Sequence, residues 1–70
     1  MKLYIKIKGQ KLEMIKHSFR ADWLFEEMAE KTVDEAKGTR DNLMYIYCLI
    51  KAKNPEIKFS FDNFIDILEN

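Results

Sequence analysis

The stretch that decides the fold is NLMYIYCLIKAKNP, residues 42–55. Within it, the run Leu43–Ile50 contains no charged residue, glycine or proline. A short apolar run of this kind fits either a buried strand or a buried helix, so its periodicity cannot distinguish the two. The residues that flank the run must therefore decide between them.

The flanking residues favour a helix. Thr39 can cap its amino end, and Asp41 suits the positive end of the helix dipole. Asn54 and Pro55 follow at helical length, and proline cannot continue a helix. We predict a helix over residues 40–53, in which the run Leu43–Ile50 is apolar or aromatic around the whole circumference.

Two further helices are predicted on either side of this central helix. Ser18 can cap a helix over residues 19–31, and Ser60 can cap a closing helix over residues 60–69. Between the first helix and the central one, a single turn over residues 33–37 is predicted from the capping-box spacing of Thr32 and Glu35, with Gly38 ending it.

The first residues alternate between polar and apolar types and predict a β-hairpin over residues 2–16, with a tight turn at Gly9-Gln10. The predicted fold class is α+β: an N-terminal hairpin followed by three to four helices in one small, mostly helical domain spanning residues 1–70. The hairpin residues expected to face inward are Leu3, Ile5, Ile7, Leu12 and Met14.

The composition limits the possible functions. Twelve basic residues balance twelve acidic ones, which does not favour a nucleic-acid or anionic-membrane binder. The apolar run is far shorter than the ~20 residues of a membrane span, and no signal peptide is expected. A single cysteine, Cys48, cannot form an intramolecular disulfide. We expect a cytoplasmic protein.

No catalytic, cofactor-binding or metal site is predicted. His17 is the only histidine and has no cluster of further ligands around it in the sequence. Cys48 lies in the most apolar stretch, where a thiol is expected to be buried and inert. The chain is therefore not expected to be an enzyme.

Two helices and a hairpin would leave part of the central helix uncovered, and a large apolar patch usually marks an interface. We therefore expect self-association, a protein partner, or both. The alternative is an ordinary core in which only the hydroxyls of Tyr45 and Tyr47 reach the surface. The candidate contact residues are the aromatic side chains that are hardest to bury together: Trp23, Phe25, Tyr45, Tyr47, Phe61 and Phe64.

Four segments together resemble the small tail assembly chaperones of long-tailed bacteriophages and prophages. They are the basic hairpin IKIKGQKLEM, the segment SFRADWLFEEMAEKTVDE, the apolar helix NLMYIYCLIKAKNPEI and the closing SFDNFIDILEN. The resemblance implies a non-enzymatic homo-oligomer in the host-cell cytoplasm. Its client would be the tape measure protein, which it would keep soluble during tail assembly.

Two other functions remain open. One is a small regulatory or inhibitory module that binds a protein through the hairpin edge. The other is a DNA-binding regulator, because EAKGTRDN has the glycine and the length of a helix-turn-helix corner. The apolar central helix argues against the second, since a recognition helix presents polar side chains to the DNA groove.

Overall fold

The structure is a computed structural model of the 70-residue chain, and it describes residues 3–7, 10–14 and 18–69. The chain is small and mostly helical, as predicted, and forms a compact single domain with a radius of gyration of 11.5 Å. The elements in chain order are β1 (Leu3–Ile7), β2 (Gln10–Met14), α1 (Phe19–Ala29), a 3₁₀ turn (Val33–Glu35), α2 (Gly38–Lys53) and α3 (Phe61–Glu69).

The two N-terminal strands pair antiparallel, with Lys6 opposite Lys11. β2 lies against α2, and Leu12 is buried in the core, as predicted. The predicted turn at Gly9 lies outside the described residues, so one continuous hairpin over residues 2–16 stays a prediction. Also outside the described part are the side chains of four residues predicted to face inward: Leu3, Ile5, Ile7 and Met14.

The start of α1 is set by Ser18, whose hydroxyl oxygen accepts a hydrogen bond from the Ala21 N–H at 2.9 Å. This confirms the predicted cap. The helix ends at Ala29 rather than at residue 31, because Glu30 adopts a left-handed conformation with φ 59°. A left-handed residue of this kind commonly terminates a helix.

The short turn after α1 covers Val33–Glu35, two residues less than predicted. The Glu35 carboxylate accepts hydrogen bonds from the Thr32 backbone N–H at 2.9 Å and from the Thr32 hydroxyl at 3.1 Å. These hydrogen bonds hold the pKa of Glu35 below its usual value. The predicted pairing of Thr32 with Glu35 is therefore present.

The amino end of α2 differs from the prediction. Gly38 does not end the preceding turn: it is the first residue of α2 and has φ 79°. Thr39 therefore lies inside the helix, and the capping position belongs to Lys37. The polar group that compensates this end is the Asp41 carboxylate, which accepts a hydrogen bond from the Lys37 backbone N–H at 2.9 Å.

The carboxyl end of α2 agrees with the prediction. The helix ends at Lys53, and Asn54 donates from both its backbone N–H and its side-chain Nδ2 to the Ile50 carbonyl, each at 2.9 Å. Both donors satisfy a carbonyl that has no intrahelical partner at a helix end. Pro55 follows directly and prevents the helix from continuing.

α2 has the central position that was predicted, but the other elements cover it more completely than was predicted. α1, β2 and α3 all pack on this helix, and every residue of Leu43–Ile50 is buried or half-buried. Three elements therefore cover most of α2, and Leu43, Tyr45 and Ile46 keep only part of their surface exposed. The buried apolar residues of the described part are Leu12, Ala21, Phe25, Met44, Tyr47, Cys48, Leu49, Ile50, Phe61 and Phe64.

An aromatic cluster joins α2 to the last part of the chain. The Tyr47 ring centroid lies 5.9 Å from that of Phe61 and 5.6 Å from that of Phe64, and the Tyr47 hydroxyl donates to the Phe59 carbonyl at 2.7 Å. Ser60 caps α3 as predicted, since its hydroxyl oxygen accepts from the Asn63 N–H at 3.2 Å. This cluster fixes α3 against the central helix.

Candidate protein-contact surfaces

Four of the six predicted contact residues lie inside the protomer. Phe25 and Phe64 have no exposed surface, Tyr47 is 4% exposed and Phe61 is 9% exposed. In this conformation their side chains pack against the chain's own core and present almost no area to a partner. The other two candidates, Tyr45 and Trp23, retain exposed area.

Tyr45 is half-buried and connects two helices. Its hydroxyl donates to Asp22 Oδ1 at 2.7 Å, and its ring meets that of Phe25 edge to face, with centroids 5.9 Å apart. Burial and the hydrogen bond to Asp22 raise the pKa of Tyr45 to about 12. These contacts assign Tyr45 a structural role between α1 and α2.

Trp23 differs from the other candidates because it lies on the outer side of α1. Phe19, one helical turn earlier, is 87% exposed, and Trp23 is 59% exposed. At 3.6 residues per turn these two residues share one side of the helix, whereas Ala21 and Phe25 occupy the opposite, buried side. We call the surface formed by Phe19 and Trp23 the aromatic face of α1.

Charged neighbours hold the Trp23 ring in position. The Arg20 guanidinium carbon lies 5.5 Å from the ring centroid, within the range of a cation–π interaction, and the indole N–H donates to Glu27. Glu26 and Glu30 are exposed on the same side of the helix. The indole is therefore presented to solvent in a fixed orientation with charge of both signs around it.

The sequence did contain a signal for Phe19. It lies directly after the cap residue Ser18 and four residues before Trp23. If the buried side of α1 is assigned to Phe25, this spacing places both Phe19 and Trp23 on the far side. Phe19 was not among the predicted contact residues, because the six candidates were chosen as the aromatic side chains hardest to bury together and not by the side of the helix that each occupies.

A second surface is an open groove of about 510 Å³ between the first half of α2 and α3. Its floor is apolar, and one rim carries Arg40, whose guanidinium carbon lies 5.7 Å from the Phe61 ring centroid. The other rim is formed by α3 and carries two carboxylates. The lining residues are Thr39, Arg40, Leu43, Phe61, Asp62, Ile65 and Asp66.

A smaller groove of about 410 Å³ lies between the start of α1 and the end of α2. Arg20 and Lys51 are its basic lining residues. Arg20 also stacks on Trp23, and Lys51 Nζ donates to the Ile57 carbonyl at 3.4 Å. Both cations thus have interactions within the chain, and the groove carries no further polar anchor.

The cysteine has the environment expected from the sequence. Cys48 is fully buried, and its Sγ lies 3.8 Å from the Met28 Sδ. Burial raises the pKa of the Cys48 thiol to about 11, so the reactive thiolate is disfavoured at neutral pH.

His17 lies outside the described residues. In the described ranges, no three His, Cys, Asp or Glu side chains converge as a metal site would require.

The surroundings of α2 also bear on the helix-turn-helix hypothesis. A recognition helix must expose one side to the DNA groove, but Leu43–Ile50 is mostly covered by the other elements.

Within residues 3–7, 10–14 and 18–69, no helix has the length and apolar content needed to cross a bilayer.

The geometry thus leaves two candidate surfaces, the aromatic face of α1 and the groove between α2 and α3. Comparison with known proteins adds no further assignment: no family model, no curated protein and no solved structure matches this chain.

Proposed function

We propose that the protein is a non-enzymatic assembly chaperone of the kind encoded by long-tailed bacteriophages and prophages. In this proposal it acts in the host-cell cytoplasm and binds a long helical client, the tape measure protein. It keeps that client soluble while the tail is built, and it self-associates when no client is bound. The sequence resemblance suggests this class, and the exposed surfaces of the fold support a role in protein binding.

One observation carries the proposal, namely the aromatic face of α1. Two large aromatic side chains lie in solvent on the side of the helix that faces away from the core. Tryptophan is enriched among the residues that dominate binding energy at interfaces. The ring of Trp23 is already oriented by Arg20 and Glu27, so binding would cost little ordering of this side chain.

The charges around the aromatic face fit pairing with a second copy. Arg20 precedes Trp23 by three residues, and Glu26 and Glu27 follow it by three and four. Antiparallel pairing of two α1 helices around Trp23 would place Arg20 of each copy beside the glutamates of the other. Such a self-complementary arrangement is what a two-fold symmetric dimer requires. Reversible pairing would shield the aromatic face between encounters with the client.

The proposal also includes the finer architecture of the N-terminus. In it, residues 2–16 form a single hairpin that docks on α2 through Leu12, which the structure buries. The α+β fold of the protomer would then present α1 and α3 outward on the remaining sides. If this hairpin contributes to the core through more than Leu12, deletion of residues 2–16 should destabilise the domain more than the loss of the Leu12 side chain alone.

The test is co-expression with the product of a neighbouring long, helix-rich open reading frame, measuring its soluble yield. The wild-type chain should raise that yield and should give a mass above 8.4 kDa by light scattering at high concentration. Trp23→Ala should weaken self-association about a thousandfold, because the two-fold pairing loses one interface residue worth about 2 kcal/mol from each copy.

Leu68→Ala is the matched control, because Leu68 is also a partly exposed apolar residue but lies on α3. It should leave the mass unchanged. A protomer-sized species at every concentration, together with no gain in client yield, would refute the proposal. Self-association without any gain in yield would instead favour the small regulatory protein-binding module.

A further inference from the structure

We propose that the groove between α2 and α3 is the docking site for an amphipathic helix whose apolar stripe is bordered by lysine or arginine. The proposal rests on the chaperone function above and gives the client a second contact surface, separate from the aromatic face of α1. It also states the chemistry that a client segment must have.

The floor of the groove is apolar and continuous. Leu43 from α2 and Ile65 from α3 are half-buried there, and Phe61 lies between the two helices with 9% of its surface exposed. The groove is open and has a volume of about 510 Å³, so it can hold one side of a ligand without enclosing it. Helix-in-groove recognition uses such a floor to hold apolar side chains from successive turns.

The rim formed by α3 is acidic. Asp62 and Asp66 are exposed and four residues apart, so they lie on the same side of α3, one turn from each other. A docked helix with basic residues along that flank would place positive charge next to both carboxylates. The opposite rim carries Arg40, which is stacked against Phe61 and thus lies close to the apolar floor.

Charge also argues against a second copy as the occupant. The outer side of α1 carries Glu26, Glu27 and Glu30, so this helix of another copy would bring negative charge to an acidic rim. The exposed side of α3 is itself acidic, and most of the apolar part of α2 is covered. The described helices of another copy are therefore poor occupants, and its exposed Lys6 and Lys11 lie on paired strands and not on a helix. A separate partner with a basic flank fits the groove better.

The experiment is an NMR titration of the isotope-labelled full chain with two designed helical peptides. Both peptides carry the same leucine stripe, bordered by lysine in one and by glutamate in the other. The lysine-bordered peptide should shift the amide signals of Leu43 and Ile65 and should bind about three- to tenfold more tightly at low salt, the effect of one or two exposed charge pairs. The double variant Asp62→Lys, Asp66→Lys should reverse this preference.

The matched control is the double variant Glu26→Lys, Glu30→Lys, which makes the same change in net charge at the same spacing on α1. It should retain the preference for the lysine-bordered peptide. Equal affinities for the two peptides would overturn the proposal, as would shifts confined to α1 or the same response from both double variants.

The peptide result is separable from the proposed function. If the wild-type chain solubilises the client but does not discriminate between the peptides, only the assignment of the groove fails. If the peptides are discriminated but the client gains no solubility, the groove stands as a helix-binding site and the chaperone function fails.

Discussion

At the scale of single residues, two backbone conformations set where the first two helices meet their connector. Glu30 has φ 59° and Gly38 has φ 79°, and these are the positive φ values of the described chain. The left-handed region costs an ordinary L-residue about 1–2 kcal/mol, whereas glycine enters it without a steric penalty. Glycine therefore suits position 38, while Glu30 adopts this conformation despite its side chain.

The substitution Gly38→Ala should change the stability of the fold in the direction opposite to the one that helix propensity predicts. Helix propensity favours alanine over glycine by about 1 kcal/mol. The positive φ at Gly38 predicts instead that alanine destabilises the fold by about 1 kcal/mol, although a Cβ there would meet no atom within 4 Å. Urea unfolding measures the difference. Glu30→Gly is the companion variant and should be neutral or stabilising, and a more stable Gly38→Ala chain would contradict this account.

At the scale of elements, one carboxylate ties the connector between α1 and α2 to the start of α2. Asp41 is 4% exposed and is the buried charged residue of the described core. Its Oδ2 lies 2.6 Å from Lys31 Nζ and also accepts from the Lys37 N–H. The hydrogen bond from Lys31, followed by that from Lys37, holds the pKa of Asp41 below its usual value of 3.8. The charged form of Asp41 is therefore the form that stabilises the fold.

The lowered pKa of Asp41 predicts how stability depends on pH. A carboxyl group with a depressed folded-state pKa contributes stability above its unfolded pKa and loses that contribution as the pH falls through the folded value. Asp41→Asn should therefore lower the melting temperature near pH 7 and show a shallower loss of stability below about pH 4 than the wild type does.

The substitution Lys31→Ala removes the hydrogen bond that contributes most to the lowered pKa of Asp41. It should make the loss of stability at acid pH shallower, as Asp41→Asn does. The melting temperature, followed by circular dichroism from about pH 7 to about pH 2, gives the comparison. Parallel curves for the wild type and Asp41→Asn throughout this range would rule out a stabilising role for the charged carboxylate.

At the scale of the whole molecule, the central helix is covered by separate elements of the chain, namely α1, β2 and α3. Cap residues and proline predicted the helices correctly at Ser18, Asn54 and Ser60, because those signals act within one helical turn. Which side of each helix is covered depends on packing between separate elements. Periodicity in a single sequence does not specify that packing.

The same distinction explains the outcome for the candidate contact residues. Trp23 was predicted from the sequence to be a contact residue, and its side chain is exposed, so that prediction stays open. Phe25, Tyr47 and Phe64 were expected to compete for a core that is in fact large enough to bury all three. The large apolar side chains with the most exposed surface, Phe19 and Trp23, lie on α1 and not on α2.

The burial of Phe64 gives a stability prediction for the whole domain. This side chain is fully buried against Tyr47 and Phe59, with ring centroids 5.6 and 6.3 Å away. Phe64→Ala should cost about 3–5 kcal/mol, a large share of the ~5–15 kcal/mol that stabilises a typical domain. Chemical denaturation would show a midpoint shifted far toward zero denaturant.

Leu68→Ala, on the same helix but 42% exposed, is the control for Phe64→Ala. It should cost no more than about 1 kcal/mol, because little buried surface is lost. If the two variants were equally stable, the aromatic cluster would not anchor α3 to the rest of the fold.

The position of Trp23 has a practical consequence, since it is the one tryptophan of the chain. Its indole is solvent-exposed on the aromatic face, so intrinsic emission from the protein originates at the surface proposed to pair. Covering that surface would transfer the fluorophore from water to an apolar environment and shift its spectrum to shorter wavelengths. The molecule therefore carries its own optical probe, and association can be followed without a dye or an engineered label.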